Sequence, residues 1–221
     1  YVSYVDKASE RIIVKRLKAL LPEAGFVTEE GTATLRQEPC WWVVDPLDGT
    51  TNYVHGSSPF AVSIALRSAR EVLLGVVYEV SLDECFFAWL GGGAWFNGQA
   101  IHIGAKPITE ALLGIELPYR ADDYRALGLA LIRRYYGFCG GIRMNGSAAV
   151  SLCNVACGRW DGWLERQLGP WDFMAGGLIV REAGGVVTDF QGRPNFLDGD
   201  NILVGNAAIH AHLLQTVAEN V

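Results

Sequence analysis

The sequence predicts an α/β (α+β) protein in two halves: a mixed or antiparallel sheet flanked by a helix, then a second α/β half. Three observations predict it. The first half holds a helical repeat followed by several segments rich in β-branched and aromatic residues. Helical and strand-like segments then alternate to the end, which is typical of layered α/β structure. Of 221 residues 50% are hydrophobic, enough for a large core.

The first half contains one predicted helix and a series of strands. Apolar residues recur at helical spacing over residues 9–21, and a proline ends this helix. Residues 25–28 form a short predicted strand, and the apolar run 40–44 predicts a buried strand ending at Asp45. Further strands are predicted at residues 60–67, 72–80 and 84–90. The Asn-Gly pair at 97–98 is a strong signal of a hairpin.

The second half begins after an Ala-Lys-Pro segment at residues 105–107. We expect an N-terminal α+β subdomain of residues 1–106 and a C-terminal α/β subdomain of residues 107–221. Strands are predicted at residues 112–117, 137–143, 160–165, 186–189 and 202–204. Helices are predicted at residues 124–136, 147–156 and 171–182 and from residue 207 onward.

The charge of the chain excludes some classes of partner. The net charge is −6 with an isoelectric point near 5.2, and no dense Lys/Arg run of the kind that binds nucleic acid is present. The basic cluster of Lys15, Arg16 and Lys18 is interpreted as a solvated helix face. No apolar run approaches the roughly 20 residues of a membrane span. We therefore expect neither nucleic acid nor a membrane as partner.

Five cysteines, an odd number without a CxxC pair, indicate reduced thiols and a cytoplasmic protein. Cys153 and Cys157 lie one helical turn apart, a spacing more typical of two core positions than of a metal site. The chain begins at Tyr1 rather than Met, so we expect that an upstream segment is missing from this sequence.

The segment best suited to chemistry is the octapeptide from Asp45 to Asn52, directly after a buried apolar strand. Asp45 and Asp48 are three residues apart and can converge on one side of a tight turn, and Mg²⁺ prefers such hard oxygen ligands. Gly49 lets the backbone approach closely, and the Thr-Thr pair after it can open a helix whose N–H groups favour phosphate. An ordinary Asp-rich turn with a helix cap is the alternative, whereas the acid spacing excludes an EF-hand.

Several ordered segments resemble one family. Residues 2–6 resemble its V-T-x-x-D, residues 26–30 its F-I-G-E-E, and residues 45–52 its D-P-[IL]-D-G-T-T-N without a change. Residues 171–176 resemble W-D-x-A-A-G, and residues 182–185 resemble E-A-G-G. The chain is therefore identified as a member of the inositol monophosphatase family, within the lithium-sensitive, metal-dependent sugar phosphatase superfamily. The resemblance implies a layered αβαβα sandwich of the sugar phosphatase type.

The resemblance implies a site for two to three Mg²⁺ ions. The first ion would be bound by Glu29, Asp45 and the carbonyl of Leu47. The second would be bound by Asp45, Asp48 and Asp172, and Glu29 with water would hold a third, weaker ion. Bound cations would give this acidic chain the positive charge that an anionic phosphate needs.

The resemblance also implies roles toward the substrate. Thr50, with Glu29 and Asp6 behind it, would orient the attacking water, and the backbone N–H groups of Gly49 and Thr50 would contact the phosphate. Gly146, Ser147, Ala148 and Glu165 would face the polyol hydroxyls. The full set of expected substrate contacts is Asp48, Gly49, Thr50, Gly146, Ser147, Ala148, Glu165 and Asp172.

Some positions have a plainer alternative or depart from the family. Asp6 taken alone is more often a helix N-cap, and Glu165 alone would be a surface strand residue. Strand alternation leaves the face of Asp161 open. Thr28 stands where the family usually has Gly, Met174 replaces a small Ala and is expected to pack, and the family's usual helix before residues 2–6 is missing.

The implied activity is that of a Mg²⁺-dependent phosphoric monoester hydrolase. It would act on inositol monophosphate or a similar small polyol or sugar phosphate, by direct attack of a metal-activated water and without a phospho-enzyme. Bisphosphate nucleotidase, fructose-1,6-bisphosphatase or histidinol-phosphatase activity on the same scaffold are alternatives. From a different class, the alternative is a catalytically silent phosphate- or metal-binding module. A homodimer and lithium sensitivity are further implications.

Overall fold

The computed structural model describes residues 4–31, 39–117, 124–194, 197 and 199–220. Its helices are α1 Tyr4–Leu20, α2 Thr50–Val54, α3 Arg125–Tyr135, α4 Ala148–Ala156, α5 Pro170–Glu182 and α6 Ala207–Ala218. Its strands are β1 Gly25–Thr28, β2 Cys40–Asp48, β3 Ala61–Ser68, β4 Val72–Glu79, β5 Glu84–Trp89, β6 Ala94–Phe96, β7 Gln99–Ile101, β8 Leu112–Ile115, β9 Gly141–Arg143, β10 Gly162–Arg166, β11 Val186–Thr188 and β12 Asn201–Gly205.

The first sheet has the order β1-β2-β3-β4-β5-β6-β7. β1 is parallel to β2, and every later neighbour is antiparallel, so the sheet is mixed as the sequence predicts. Side chains of β2 alternate between two cores: Trp42 and Val44 pack on one face, and Val43 packs on the other. The apolar run of β2 therefore reflects a strand that is buried on both faces.

The second sheet has the order β11-β12-β10-β8-β9. β8 is parallel to β10 and to β9, whereas β12 is antiparallel to β10 and to β11. β9 is shorter than the predicted 137–143, because residues before it form a turn in which Gly137 adopts a φ of +75°. Every other predicted strand and helix has a counterpart that differs by a few residues.

Helices and sheets stack in five layers. α1 packs through Leu17 on the outer face of the first sheet, and α4 and α5 lie between the sheets in the main core. α3 and α6 cover the outer face of the second sheet with Leu131 and Leu213. Because α5 lies between two sheets, its residues from Phe173 to Val180 are all buried. The predicted αβαβα sandwich is confirmed.

The start of α1 differs from its prediction. The helix begins at Tyr4, five residues before the predicted start at residue 9. Its first turns face inward with acidic side chains, Asp6 and Glu10, which are both buried. Acidic residues that face inward are not part of a repeat of apolar residues, so the sequence pattern predicts the start of the helix too late. Val2 and Ser3, the first residues of the segment 2–6, lie outside the described residues.

The two sheets divide the chain between Ile101 and Leu112. They share one core, however, because Val77 of the first sheet and Val204 of the second belong to the same buried cluster. The division into subdomains 1–106 and 107–221 therefore stays a prediction. Within the described part of the chain, no helix combines the length and the apolar character needed to cross a bilayer. Cys85, Cys139, Cys153 and Cys157 carry free thiols.

Candidate active site

Three carboxylates from distant parts of the chain converge. Asp45 and Asp48 lie at the end of β2, and Asp172 lies in the first turn of α5. An oxygen atom of each lies within 4.8 Å of the other two. The junction is fixed by Ser63, which is the partner of Asp45 on β3 and donates a hydrogen bond of 2.9 Å to the carbonyl of Trp171. Sheet pairing and this bond together bring the start of α5 to the end of β2.

Backbone amides hold two of these carboxylates. The Oδ1 atom of Asp45 accepts from the N–H of Leu47 at 2.8 Å. The Oδ2 atom of Asp172 accepts from the N–H of Gly169, the N-cap of α5, at 2.6 Å. These bonds orient each carboxylate through one oxygen, which leaves its second oxygen to face the other acids.

Asp48 is held by the start of α4. Its Oδ2 atom accepts from the N–H of Ala149 at 2.9 Å and from the hydroxyl of Ser147. The positive end of the helix favours a carboxylate at this place. Ser147 is 1% exposed and is the N-cap of α4, with its side chain also accepting from Val150. Its side chain thus contacts Asp48 from behind, whereas the neighbours Gly146 and Ala148 line the cleft.

Glu29 completes the acidic cluster at the edge of the cleft. It follows β1, and its N–H donates to the carbonyl of Val44 at 3.2 Å, next to Asp45 on β2. Its carboxyl hydrogen-bonds to that of Asp45. The side chain is open to the cleft, yet its pKa is raised to about 7, mainly because the surrounding protein desolvates it. Four acids predicted as metal ligands therefore lie together.

Burial and mutual repulsion raise the pKa values of these acids strongly. Burial, followed by repulsion from Asp48, raises the pKa of Asp172 to about 8. Burial raises the pKa of Asp48 to about 6, although the Ser147 hydroxyl acts against it. The pKa of Asp45 is raised well above 3.8, by burial first and then by Asp48. A divalent cation would relieve this repulsion, and hard carboxylate oxygens at this spacing suit Mg²⁺. The donor set therefore fits the metal that the sequence implies.

Thr50 and Asp6 meet beside the cluster. The Thr50 hydroxyl lies 3.1 Å from Asp6 Oδ1 and 2.9 Å from the carbonyl oxygen of Leu47, both acceptors. Asp6 is buried in the first turn of α1. Gly49 has a φ of +84°, and a Cβ there would lie 2.8 Å from the carbonyl oxygen of Pro59, so only glycine fits. The sharp turn at Gly49 lets α2 start directly behind Asp48.

One cleft of about 1090 Å³ is lined by the four acids together with Leu47, Gly49 and Thr50, whereas Asp6 and Ser147 do not line it. Glu116, Asn145, Gly146, Ala148 and Glu165 line the part of the cleft that we call the far wall. Burial and the charge of Glu116 raise the pKa of Glu165, which lies on β10, well above 4.5. Acidic side chains dominate the walls: Glu29, Asp45, Asp48, Glu116, Glu165, Asp172 and Asp200. Among the described residues that line it, none is a lysine or an arginine. The described lining is therefore rich in acidic groups that no cationic side chain of the lining offsets.

Sequence reasoning missed Glu116. It follows β8 directly, is 7% exposed and lines the cleft. Burial raises its pKa, and the N–H groups of Asn145 and Gly146 act against that rise. A polar residue at the end of a buried strand is the same signal that identified Asp45, so the pattern was present in the sequence. Asp161, whose face was open, is fully buried away from the cleft and accepts from the N–H of Leu112 at 2.8 Å.

The two departures from the family pattern that the structure describes are both buried. Met174 packs in the main core as expected. Thr28 is 6% exposed at the end of β1, and it leaves Glu29 at the cleft. Neither substitution displaces an acidic residue from the cluster.

Comparison with known proteins agrees with this geometry. The family profile described as Inositol monophosphatase family matches residues 1–221. Inositol-1-monophosphatase of Rhizobium meliloti (strain 1021) is 40% identical over 219 residues, which are 98% of this chain and 82% of that protein. Nus factor SuhB of Escherichia coli (strain K12) is 38% identical over 221 residues, 99% of this chain and 83% of that protein.

A solved structure shows the same similarity in three dimensions. The crystal structure of extragenic suppressor protein suhB from Bartonella henselae superposes with a TM-score of 0.94 at 38% identity. The superposition covers 100% of this chain and 86% of that one.

The raised pKa values predict how stability depends on pH. The cluster acids bind protons more tightly in the folded protein than in the unfolded chain, where the values are near 3.8 for Asp and 4.5 for Glu. Metal-free protein should therefore lose stability as the pH rises from about 4 through the folded value of about 8 for Asp172. Mg²⁺ would bind the ionised acids, so the rise in Tm that it causes should grow over the same interval.

Differential scanning fluorimetry with EDTA or with saturating Mg²⁺ between pH 5 and 8 measures this effect. For a chain of this size each kcal/mol changes Tm by about 2–4 °C. If Mg²⁺ increases Tm equally at pH 5 and pH 8, the cluster does not bind cations through acids whose pKa values are raised.

Proposed function

Because the chain belongs to the inositol monophosphatase family, and is therefore a phosphoric monoester hydrolase, we propose that it is a Mg²⁺-dependent phosphatase of inositol monophosphate or a similar small polyol or sugar phosphate. The observation that carries the proposal is a cleft with seven acidic side chains and no lysine or arginine among its described lining residues. Once their acids are ionised, such walls repel a phosphate ester unless cations bind first.

Glu29, Asp45, Asp48 and Asp172, with the carbonyl of Leu47, are proposed to hold two to three Mg²⁺ ions. Three of these carboxylates are oriented by backbone N–H groups, so they can meet the strict geometry that Mg²⁺ requires without large rearrangement. When bound, the ions supply charge neutralisation of the phosphate and a lowered pKa for water.

The residues of the chain would then position the reactants. The Thr50 hydroxyl can donate its one proton to Asp6 or to the carbonyl oxygen of Leu47, so its lone pairs can accept from the attacking water. Glu29 lies on the same wall and would orient that water together with Thr50. The N–H groups of Gly49 and Thr50 would contact the phosphate. Water attacks phosphorus in line and no side chain is phosphorylated.

The far wall is proposed to bind the alcohol part of the substrate. Gly146 and Ala148 line this wall, and the carboxyl group of Glu165 can accept from polyol hydroxyls. Ser147 would act through Asp48 rather than by touching the substrate. Glu116 and Glu165 are both acidic, and no described residue of this wall is a lysine or an arginine that would neutralise a second phosphate, which favours monophosphates over bisphosphorylated substrates.

A homodimer in the cytoplasm completes the proposal. Large apolar side chains are exposed on and beside the first sheet, with Leu82 at 66% and Trp89 at 45%, and a second copy could cover them. Multi-angle light scattering of the purified protein would give the subunit count, and a monomer at micromolar concentration would remove this part of the proposal.

A substrate panel tests the activity. Phosphate release should occur with inositol monophosphate in Mg²⁺ and should fall to background in EDTA. Fructose 1,6-bisphosphate, a 3′,5′-bisphosphorylated nucleotide and histidinol phosphate should be poorer by kcat/KM. Faster turnover of the bisphosphorylated nucleotide would replace the proposed substrate, and phosphate binding without release from any ester would indicate a silent binding module.

The variant D45N tests the metal cluster. It removes one negative charge from the centre of the cluster while keeping the shape of the side chain. Turnover should fall by more than the about 10–100-fold that loss of a supporting group costs at a metal site. The Tm in EDTA at pH 8 should rise, because repulsion is relieved.

D189N is the matched control for D45N. Asp189 is 3% exposed and its Oδ1 atom accepts two backbone N–H groups, yet it does not line the cleft. The activity of D189N should stay near that of the wild type. If D45N keeps wild-type activity in Mg²⁺, the assignment of Asp45 as a ligand is wrong.

A further inference from the structure

The loop between β9 and α4 forms part of the far wall of the cleft, and side chains hold it. The N–H groups of Asn145 and Gly146 both donate to Oε1 of Glu116, at 2.8 and 3.3 Å. The N–H of Ser147 donates to Oδ1 of Asn145 at 3.1 Å. These three amides thus bond to side-chain oxygens rather than to a sheet neighbour, so the loop depends on those oxygens for its position.

The carbonyl oxygen of Asn145 is held from the other direction, by a side chain at the phosphate end of the cleft. Nδ2 of Asn52, in α2, donates to the carbonyl oxygen of Asn145 at 2.7 Å and to that of Pro59 at 2.8 Å. The peptide that joins Asn145 to Gly146 is therefore clamped by an amide on one side and by a carboxylate on the other. Gly146 follows with a φ of +72°, a conformation that glycine adopts without the steric cost of a side chain.

We propose that Glu116 is a positioning residue that fixes the Asn145 and Gly146 peptide group, and thereby sets how tightly the cleft binds the alcohol part of the substrate. The proposal rests on the proposed phosphatase function. Glu116 acts through the loop, because its Oε1 atom is already committed to two amides. Without it two partly buried amides lose their acceptor, which is costly, and the wall formed by Gly146 can shift.

Two acids of the cation cluster are anchored apart from this loop, because Asp45 is held by Leu47 and Asp172 is held by Gly169. Asp48 is held by Ser147 and Ala149, directly after the loop. Loss of Glu116 should therefore weaken binding of a polyol phosphate more than it slows chemistry at the cation cluster. An ester whose alcohol part carries no hydroxyl groups should be affected less.

Kinetics of E116A and E116Q with inositol monophosphate and with p-nitrophenyl phosphate test the proposal. E116A should raise KM for inositol monophosphate about tenfold or more, the scale of lost hydrogen bonds to a charged acceptor. Its kcat, and its KM for p-nitrophenyl phosphate, should change much less than its KM for inositol monophosphate. E116Q should recover most of the affinity, because its carbonyl oxygen can accept the same two amides.

D189A is the matched control, because Asp189 Oδ1 also accepts two backbone N–H groups, at 2.9 Å each, in a turn outside the cleft. It should leave both KM values unchanged. If E116A does not fold, E116D takes its place, since its carboxylate is one methylene shorter and cannot reach the same two amides in the same geometry. Equal losses with both substrates, or an E116Q as impaired as E116A, would overturn the proposal.

Hydrogen exchange separates this proposal from the proposed function. In E116A the amides of Asn145 and Gly146 should exchange at least about tenfold faster than in the wild type and in D189A, whatever the enzyme hydrolyses. Unchanged exchange would overturn the positioning role. If the wild type releases phosphate from no ester, but E116A still shows the faster exchange, only the phosphatase proposal is refuted.

Discussion

The structure depends on one costly arrangement, a group of acidic side chains packed against each other at the meeting point of the two sheets. Asp45, Asp48 and Asp172 are mostly buried, and their charges repel each other. Backbone N–H groups at a strand end and at the starts of two helices hold them in place. A divalent cation at this place would relieve the repulsion that ionisation of these acids creates, so metal binding and correct geometry would favour each other.

The layered architecture explains why these acids meet. β2 runs through the first sheet and ends with Asp45 and Asp48, while α4 and α5 lie between the sheets with their N-terminal ends at the same place. The positive ends of the two helices favour acids, and the same direction suits a substrate anion. Loops beyond these ends can then vary to bind different alcohol groups while the cluster stays unchanged.

Much of the fold and part of the site could be predicted from the sequence. Asp45 and Asp48 can be identified from the sequence, because two carboxylates that lie together after an apolar strand are suited to bind a metal ion. Glu29 and Asp172 are far away in sequence, so only the family resemblance indicated them. Asp6 and Glu10 obscured the start of α1, because buried acids look like surface residues in a pattern of polarity. Glu116 acts through backbone amides of a distant loop, a contact that no local pattern encodes.

The most direct test of the central claim is anomalous diffraction from crystals grown with saturating Mn²⁺, a stand-in for Mg²⁺. The account predicts at least one strong anomalous peak within bonding distance of carboxylate oxygens of Asp45, Asp48 and Asp172. Crystals that contain Mn²⁺ elsewhere, or show no peak at these three side chains, would contradict it.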